Sequence, residues 1–262
     1  MKNNLSTMVK TDLRRMGRSR LFYILVACAL LIPVVMVVMM SMMDGTVTVD
    51  PQTGAESVME GPENAWQSIG TLPSPDGSTA PMGGMDVMAM CNINMMYFLA
   101  AVLVCIFVAA DFRSGYAKNL FAVRSKKSDY IISKSLVGFV GGALMIVGFF
   151  VGAMLGGAIS GLPFDTGVAG VNGIVMCMLA KVLLIAVFTP IYLLMSVIAK
   201  EKLWLSLIGS LMIGMLFFMM IPVLTPLDST IMNVILCLAG GVLFNLGFGA
   251  ISQLILKKKD IL

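Results

Sequence analysis

The chain has 262 residues, of which 58% are hydrophobic and only 12% charged, and its mean hydropathy is +0.95. So few charges cannot clothe a soluble globule of this length, and the absence of histidine excludes His-based zinc and haem sites and any Ser–His or Cys–His catalytic pair. Repeated apolar runs longer than about 18 residues, without the alternating ten-residue segments of a membrane β-barrel, define an all-α, polytopic integral membrane protein.

The first 20 residues, MKNNLSTMVKTDLRRMGRSR, place Leu5, Met8, Val9, Leu13 and Met16 at helical spacing. Lys10, Asp12, Arg14 and Arg15 fall mostly on the other side. The pattern predicts a short basic amphipathic helix lying in the inner membrane interface. Six apolar segments follow: 21–43, 87–110, 135–161, 171–199, 203–225 and 231–256. Each is long enough to cross a hydrocarbon core of about 30 Å at 1.5 Å per residue. The first run is too long for a cleavable signal and has no small-residue cleavage site after it, so it reads as a retained anchor.

Lys and Arg fix the orientation. Of the 18, 17 lie before the first segment, between the second and third, between the fourth and fifth, or after the sixth. The opposite loops carry none, but hold nine acidic residues. The positive-inside rule puts both termini and the basic loop in the cytoplasm. Residues 44–86 then form a large extracellular loop, acidic and rich in Gly and Pro. Within it GPENAWQSIGTL is expected to form one short helix, with Trp66 at the headgroup level, and the rest reads as loop.

Within the spans, Gly138, Gly142, Gly148, Gly152 and Gly156 share one face of the third and predict a close helix contact. Pro33 and Pro190 predict kinks. Lys181 stands alone as a basic residue inside a span. With a span near residues 180–199 it reaches the outer interface and snorkels, which is the preferred reading. The alternative is a cation lining a substrate path, and no intramembrane carboxylate is available to pair with it. Of the 25 methionines, Met39 and Met43 end the first span and Met88 begins the second. Three readings stay open for such clusters: plain packing, an adaptable apolar substrate surface, and soft ligands for Cu(I). The five cysteines lie in or at the edges of apolar runs, form no CxxC pair and read as buried small residues.

The cytoplasmic loop, residues 111–134, reads DFRSGYAKNLFAVRSKKSDYIISK. Together with six spans, both ends inside and a basic amphipathic helix first, it resembles the permease subunits of type-2 ATP-binding-cassette (ABC) exporters, including those protecting bacteria against lantibiotics and bacitracin. Asp111, Phe112, Gly115, Lys118, Asn119, Leu120, Ser133 and Lys134 fit that family's pattern. Tyr116 replaces its usual Thr, and Arg124 stands where its proline would be. The resemblance implies a single transmembrane permease domain over residues 1–262. It makes the loop a coupling segment in which Asp111, Phe112, Arg113, Gly115, Tyr116, Lys118, Asn119, Leu120 and Phe121 meet a separate ATPase. Tyr116, Leu120 and Phe121 are expected to anchor in an apolar cleft of that partner, with Arg113 and Lys118 on its acidic residues.

The resemblance further implies a second permease copy or a sister permease, residence in the bacterial plasma membrane, and an amphipathic or hydrophobic cargo such as an antimicrobial peptide. The chain holds no phosphate loop, so it is not expected to be an enzyme or to bind a cofactor. ATP and Mg²⁺ are expected on the partner, and no nucleic acid is expected. Two alternatives are a non-transporting scaffold or sensor whose acidic outer loop binds a ligand, and a copper-handling protein.

Overall fold

A computed structural model describes residues 4–49, 56–58, 61–70, 92–122, 126–218 and 220–258. The helices among them are α1 (Asn4–Gly17), α2 (Arg20–Met42), α3 (Met96–Arg113), α4 (Tyr116–Ala122), α5 (Lys127–Ile159), α6 (Gly170–Ala199), α7 (Leu203–Phe218), α8 (Met220–Leu224) and α9 (Ile231–Lys258). Five of them, α2, α3, α5, α6 and α9, are each long and apolar enough to cross a membrane. The chain is an all-α polytopic membrane protein.

The expected fifth segment, 203–225, is helical over the 16 residues of α7 and the five of α8, position 219 between them lying outside the described residues. The pair still carries the chain from one end of the bundle to the other. Its start lies at the inner end, where the Arg113 Nε donates to the Glu201 carbonyl at 3.1 Å. Just after α8, Leu227 packs beside Gly70 of the outer loop and Gly173 at the start of α6. α9 returns to the inner end, where the Lys127 Nζ donates to the Leu256 carbonyl at 2.7 Å. Both described ends of the chain therefore lie at the same end of the bundle.

α6 and α3 form the centre, while α2 and α9 are peripheral; the apolar window of α6 is 72% buried and that of α9 only 11%. The glycine stripe of α5 serves two partners. A Cβ on Gly138 would meet Thr189 of α6 and Val104 of α3, and one on Gly142 would meet Ile185 of α6. Further out, Gly152 faces the Leu30 carbonyl and the Pro33 ring of α2, and Gly156 faces Val34 and Val37. Small residues thus let α5 sit against α6 and α2 at backbone distance. α7 has its own small stripe: its buried residues are Ser206, Ser210 and Gly214. Ser206 bonds Ser196 at 2.8 Å and Ser210 bonds Cys105 at 3.2 Å.

The outer loop holds more order than its composition predicts. Residues Val47–Val49 (β1) and Glu56–Val58 (β2) pair antiparallel, with Thr48 opposite Ser57, where only loop was expected. The expected short helix is a single 3₁₀ turn, Ala65–Ser68, capped by the Asn64 side chain at 3.0 Å from the Trp66 nitrogen. Trp66 packs against Phe150 and Phe164, with ring centroids 6.2 and 5.9 Å away. This part of the loop is thereby seated on the outer end of α5.

Candidate functional site

α5 begins two turns earlier than the third apolar segment, so the second half of the basic loop is helix. That extension brings Ser133 and Lys134 under α1. Lys134 is 1% exposed, and its ammonium lies 2.8 Å from the Asp12 carboxylate and 2.6 Å from that of Asp111. Asp111, at the end of α3, also accepts from Arg15 of α1 at 2.7 Å and from the Tyr130 hydroxyl at 3.2 Å. Asp12 accepts from Ser133 at 2.7 Å. Phe107 and Tyr116 close the cluster, the Lys134 Nζ sitting 4.1 Å from the Phe107 ring centroid and the Arg15 guanidinium 4.1 Å from that of Tyr116.

Two cations and two carboxylates sum to no net charge. Replacing a whole buried network by apolar residues is often neutral for stability, whereas removing one member strands the others at roughly 3–5 kcal/mol. Such a cluster fixes geometry more than it adds stability, and here it fixes three elements: α1, the end of α3 and the start of α5. Burial pulls the Arg15 pKa down, but the Asp111 carboxylate, with Asp12 and Tyr116 behind it, outweighs burial and the net direction is up. Burial first, and then the Asp12 charge, raise that of Tyr116.

This arrangement corrects the reading of α1. Met8 and Met16 do lie on one face, but that face is buried against the bundle and includes Asp12, which is wholly buried rather than on the polar side. Leu5, Val9 and Leu13 flank it, half-buried. The charge cluster itself was missed. Its signal was available: Asp12 is the sole acidic residue before position 44, and it repeats with Met8 and Met16 at intervals of four.

The coupling segment divides in two. Gly115, with φ of 72°, takes the left-handed conformation that lets α3 turn into α4. Asp111 and Phe112 are buried, and Tyr116, Leu120 and Phe121 are half-buried. Tyr116 faces Arg15, and Phe121 packs edge-on to Tyr130 at 5.4 Å. These two aromatics do not project outward as anchors, because the cluster uses them. Arg113, Ser114, Lys118, Asn119 and Ala122 form the exposed surface.

At the outer end, Lys181 does not snorkel. It is 1% exposed and donates to Asn94 Oδ1 and Thr225 Oγ1, both at 3.0 Å. The Thr225 hydroxyl gives its hydrogen to the Ile221 carbonyl at 2.7 Å, which leaves its lone pairs for the ammonium. The Tyr97 hydroxyl donates to the Lys181 carbonyl at 2.9 Å. Every hydrogen-bond partner of this cation among the described residues is neutral. Met39 and Met43 lie exposed at the end of α2 and are not among those partners. Met88 lies outside the described residues. The structure does not bring Lys181, Met39 and Met43 into one path.

A bundle of membrane-crossing helices, with a surface helix pinned to an inner turn through a buried charge cluster, defines a polytopic membrane protein. A family model described as ABC-2 family transporter protein matches residues 8–219, and the chain belongs to that family. No curated protein and no solved structure matches the chain. The matched region takes in α1, the charge cluster and the exposed turn, and stops before α9.

Proposed function

We propose that this chain is the membrane half of an ATP-driven exporter of the bacterial plasma membrane. In this reading it docks a separate ATPase through Arg113, Ser114, Lys118 and Asn119. The observation that carries the reading is the pairing of an exposed, basic, polar turn with a rigid buried base. Force applied at the turn passes through Asp111 to α1 and α5 together. A turn without such a base would yield locally. ATP and Mg²⁺ belong to the partner in this reading, and a second permease, identical or a sister, completes the path.

The cargo class that fits is amphipathic or hydrophobic, such as the antimicrobial peptides handled by the lantibiotic and bacitracin branch that the loop resembles. The acidic outer loop and the exposed methionines ending α2 support this choice.

Co-purification tests the docking. The full chain, expressed in its native host with a C-terminal tag, is expected to carry an ATPase at stoichiometric yield. Gly115→Trp is expected to lose it, since the position has a left-handed backbone and an open face on which an indole would stand. An intact, oligomeric chain without any ATPase would sink the reading. The cargo is tested separately: deletion is expected to raise sensitivity to a panel of antimicrobial peptides and bacitracin, and unchanged sensitivity removes that class.

A further inference from the structure

α5 carries a stripe of exposed apolar residues that includes Ile132, Leu136, Leu144 and Val147. In a membrane-crossing helix such a stripe faces lipid. At its inner end the stripe runs under α1, leaving a groove of about 590 Å³ lined by Leu5, Ser6, Val9, Lys10, Leu13 and Leu136. Its floor is apolar. Its rim carries a hydroxyl and an ammonium, and Lys10 has no ion-pair partner among the described residues. Arg14, one turn on, is also exposed.

We propose that this groove holds one anionic phospholipid of the inner leaflet, its acyl chain along Leu136 and Leu13 and its phosphate at Lys10 and Ser6. Three observations converge. The groove opens onto the exposed apolar stripe of α5, the kind of surface a membrane-crossing helix turns to lipid. The cation at its rim has the sign that an anionic headgroup requires. An ammonium beside an apolar slot matches the two ends of a lipid and neither end of a soluble anion. The site lies one helical turn from Asp12 and Arg15, so a lipid that holds α1 against α5 also holds the charge cluster in place.

The test is native mass spectrometry of the detergent-purified full chain. It is titrated with phosphatidylglycerol, with phosphatidylcholine of the same chains, and with inorganic phosphate. Its readout is binding to this chain alone, so it stands or falls separately from any ATPase. The wild type is expected to retain phosphatidylglycerol in preference to phosphatidylcholine. Lys10→Glu, which creates a helix-compatible i,i+4 pair with Arg14, is expected to weaken phosphatidylglycerol about tenfold. Leu136→Trp, which fills the groove from an already exposed position, is expected to do the same. Lys202→Glu, an exposed charge change elsewhere on the inner face, is expected to have no effect. Equal phosphatidylglycerol binding by wild type, Lys10→Glu and Leu136→Trp would overturn the site. So would an equal loss in Lys202→Glu, or full competition by inorganic phosphate.

Discussion

Two buried lysines in this chain are held in opposite ways, and the difference decides what their removal does. Lys134 sits between two carboxylates, so Lys134→Met leaves Asp12 and Asp111 facing each other with only Arg15 to share. The expected loss is about 3–5 kcal/mol. Lys181→Met leaves the Asn94 amide oxygen without this partner, at about 1–3 kcal/mol, while the Thr225 hydroxyl keeps its bond to Ile221; it also removes a desolvated charge worth about 2.5–3.5 kcal/mol on insertion scales. The net change is expected to be smaller, within about 1–2 kcal/mol. Thermal unfolding of both variants in one detergent checks the order; Lys181→Met melting below Lys134→Met would contradict it. The cluster also sets the pH response. The raised pKa of Tyr116 means the folded chain holds that proton more tightly than the unfolded chain. Its contribution is complete below tyrosine's ordinary value and falls as pH rises through the raised one. Arg15 is displaced upward too, so its contribution is lost only at higher pH still. The stability of the inner end is therefore expected to stay level through neutral pH and to fall in alkali, which a pH series of melting curves reads directly.

Among the elements, α5 shows how far a helix pattern can be read. The glycine stripe was legible because small residues on one face have few uses other than close packing. Its division between α6 and α2 was not, since spacing names a face and never a neighbour. The contacts grade the positions. A Cβ on Gly148 would make ordinary contact with Ala29 at 3.8 Å, and alanine favours helix over glycine by up to about 1 kcal/mol. Gly148→Ala is expected to be neutral or slightly stabilising. Gly152→Ala would drive its methyl into the Leu30 backbone carbonyl, which cannot step aside, and is expected to separate α2 from α5. Paired melting curves test the contrast. α1 was legible as amphipathic, yet its buried face was misassigned, because one aspartate turned inward reads as polar until its cationic partner Lys134, more than 100 residues away, is placed beside it.

For the molecule as a whole, the membrane-crossing helices and the shared end of both described chain ends followed from charge and length, two properties that act without tertiary contacts. The β1–β2 pair and the docking of Trp66 did not, because three-residue strands and a single turn seated on a helix end depend on what surrounds them. The topology has a direct check. Cysteine at Lys118 is expected to react with an impermeant thiol reagent only after the membrane is opened, and cysteine at Thr46 in intact cells. The reverse pattern would invert the bundle.

The two charge sites also differ in how they respond to an electric field across the bilayer. The inner cluster is neutral in sum and moves through that field as a neutral body. The Lys181 ammonium is set 11 residues into α6 among neutral partners and carries its charge wherever α6 goes. A full crossing of the field by one charge is worth about 2.3 kcal/mol per 100 mV. A working stroke that slides α6 by a tenth of the bilayer thickness thus exchanges about 0.2 kcal/mol per 100 mV with the membrane potential. In the proposed exporter, a stroke that moves α6 carries a small electrical cost or gain whose sign reports the direction of that movement.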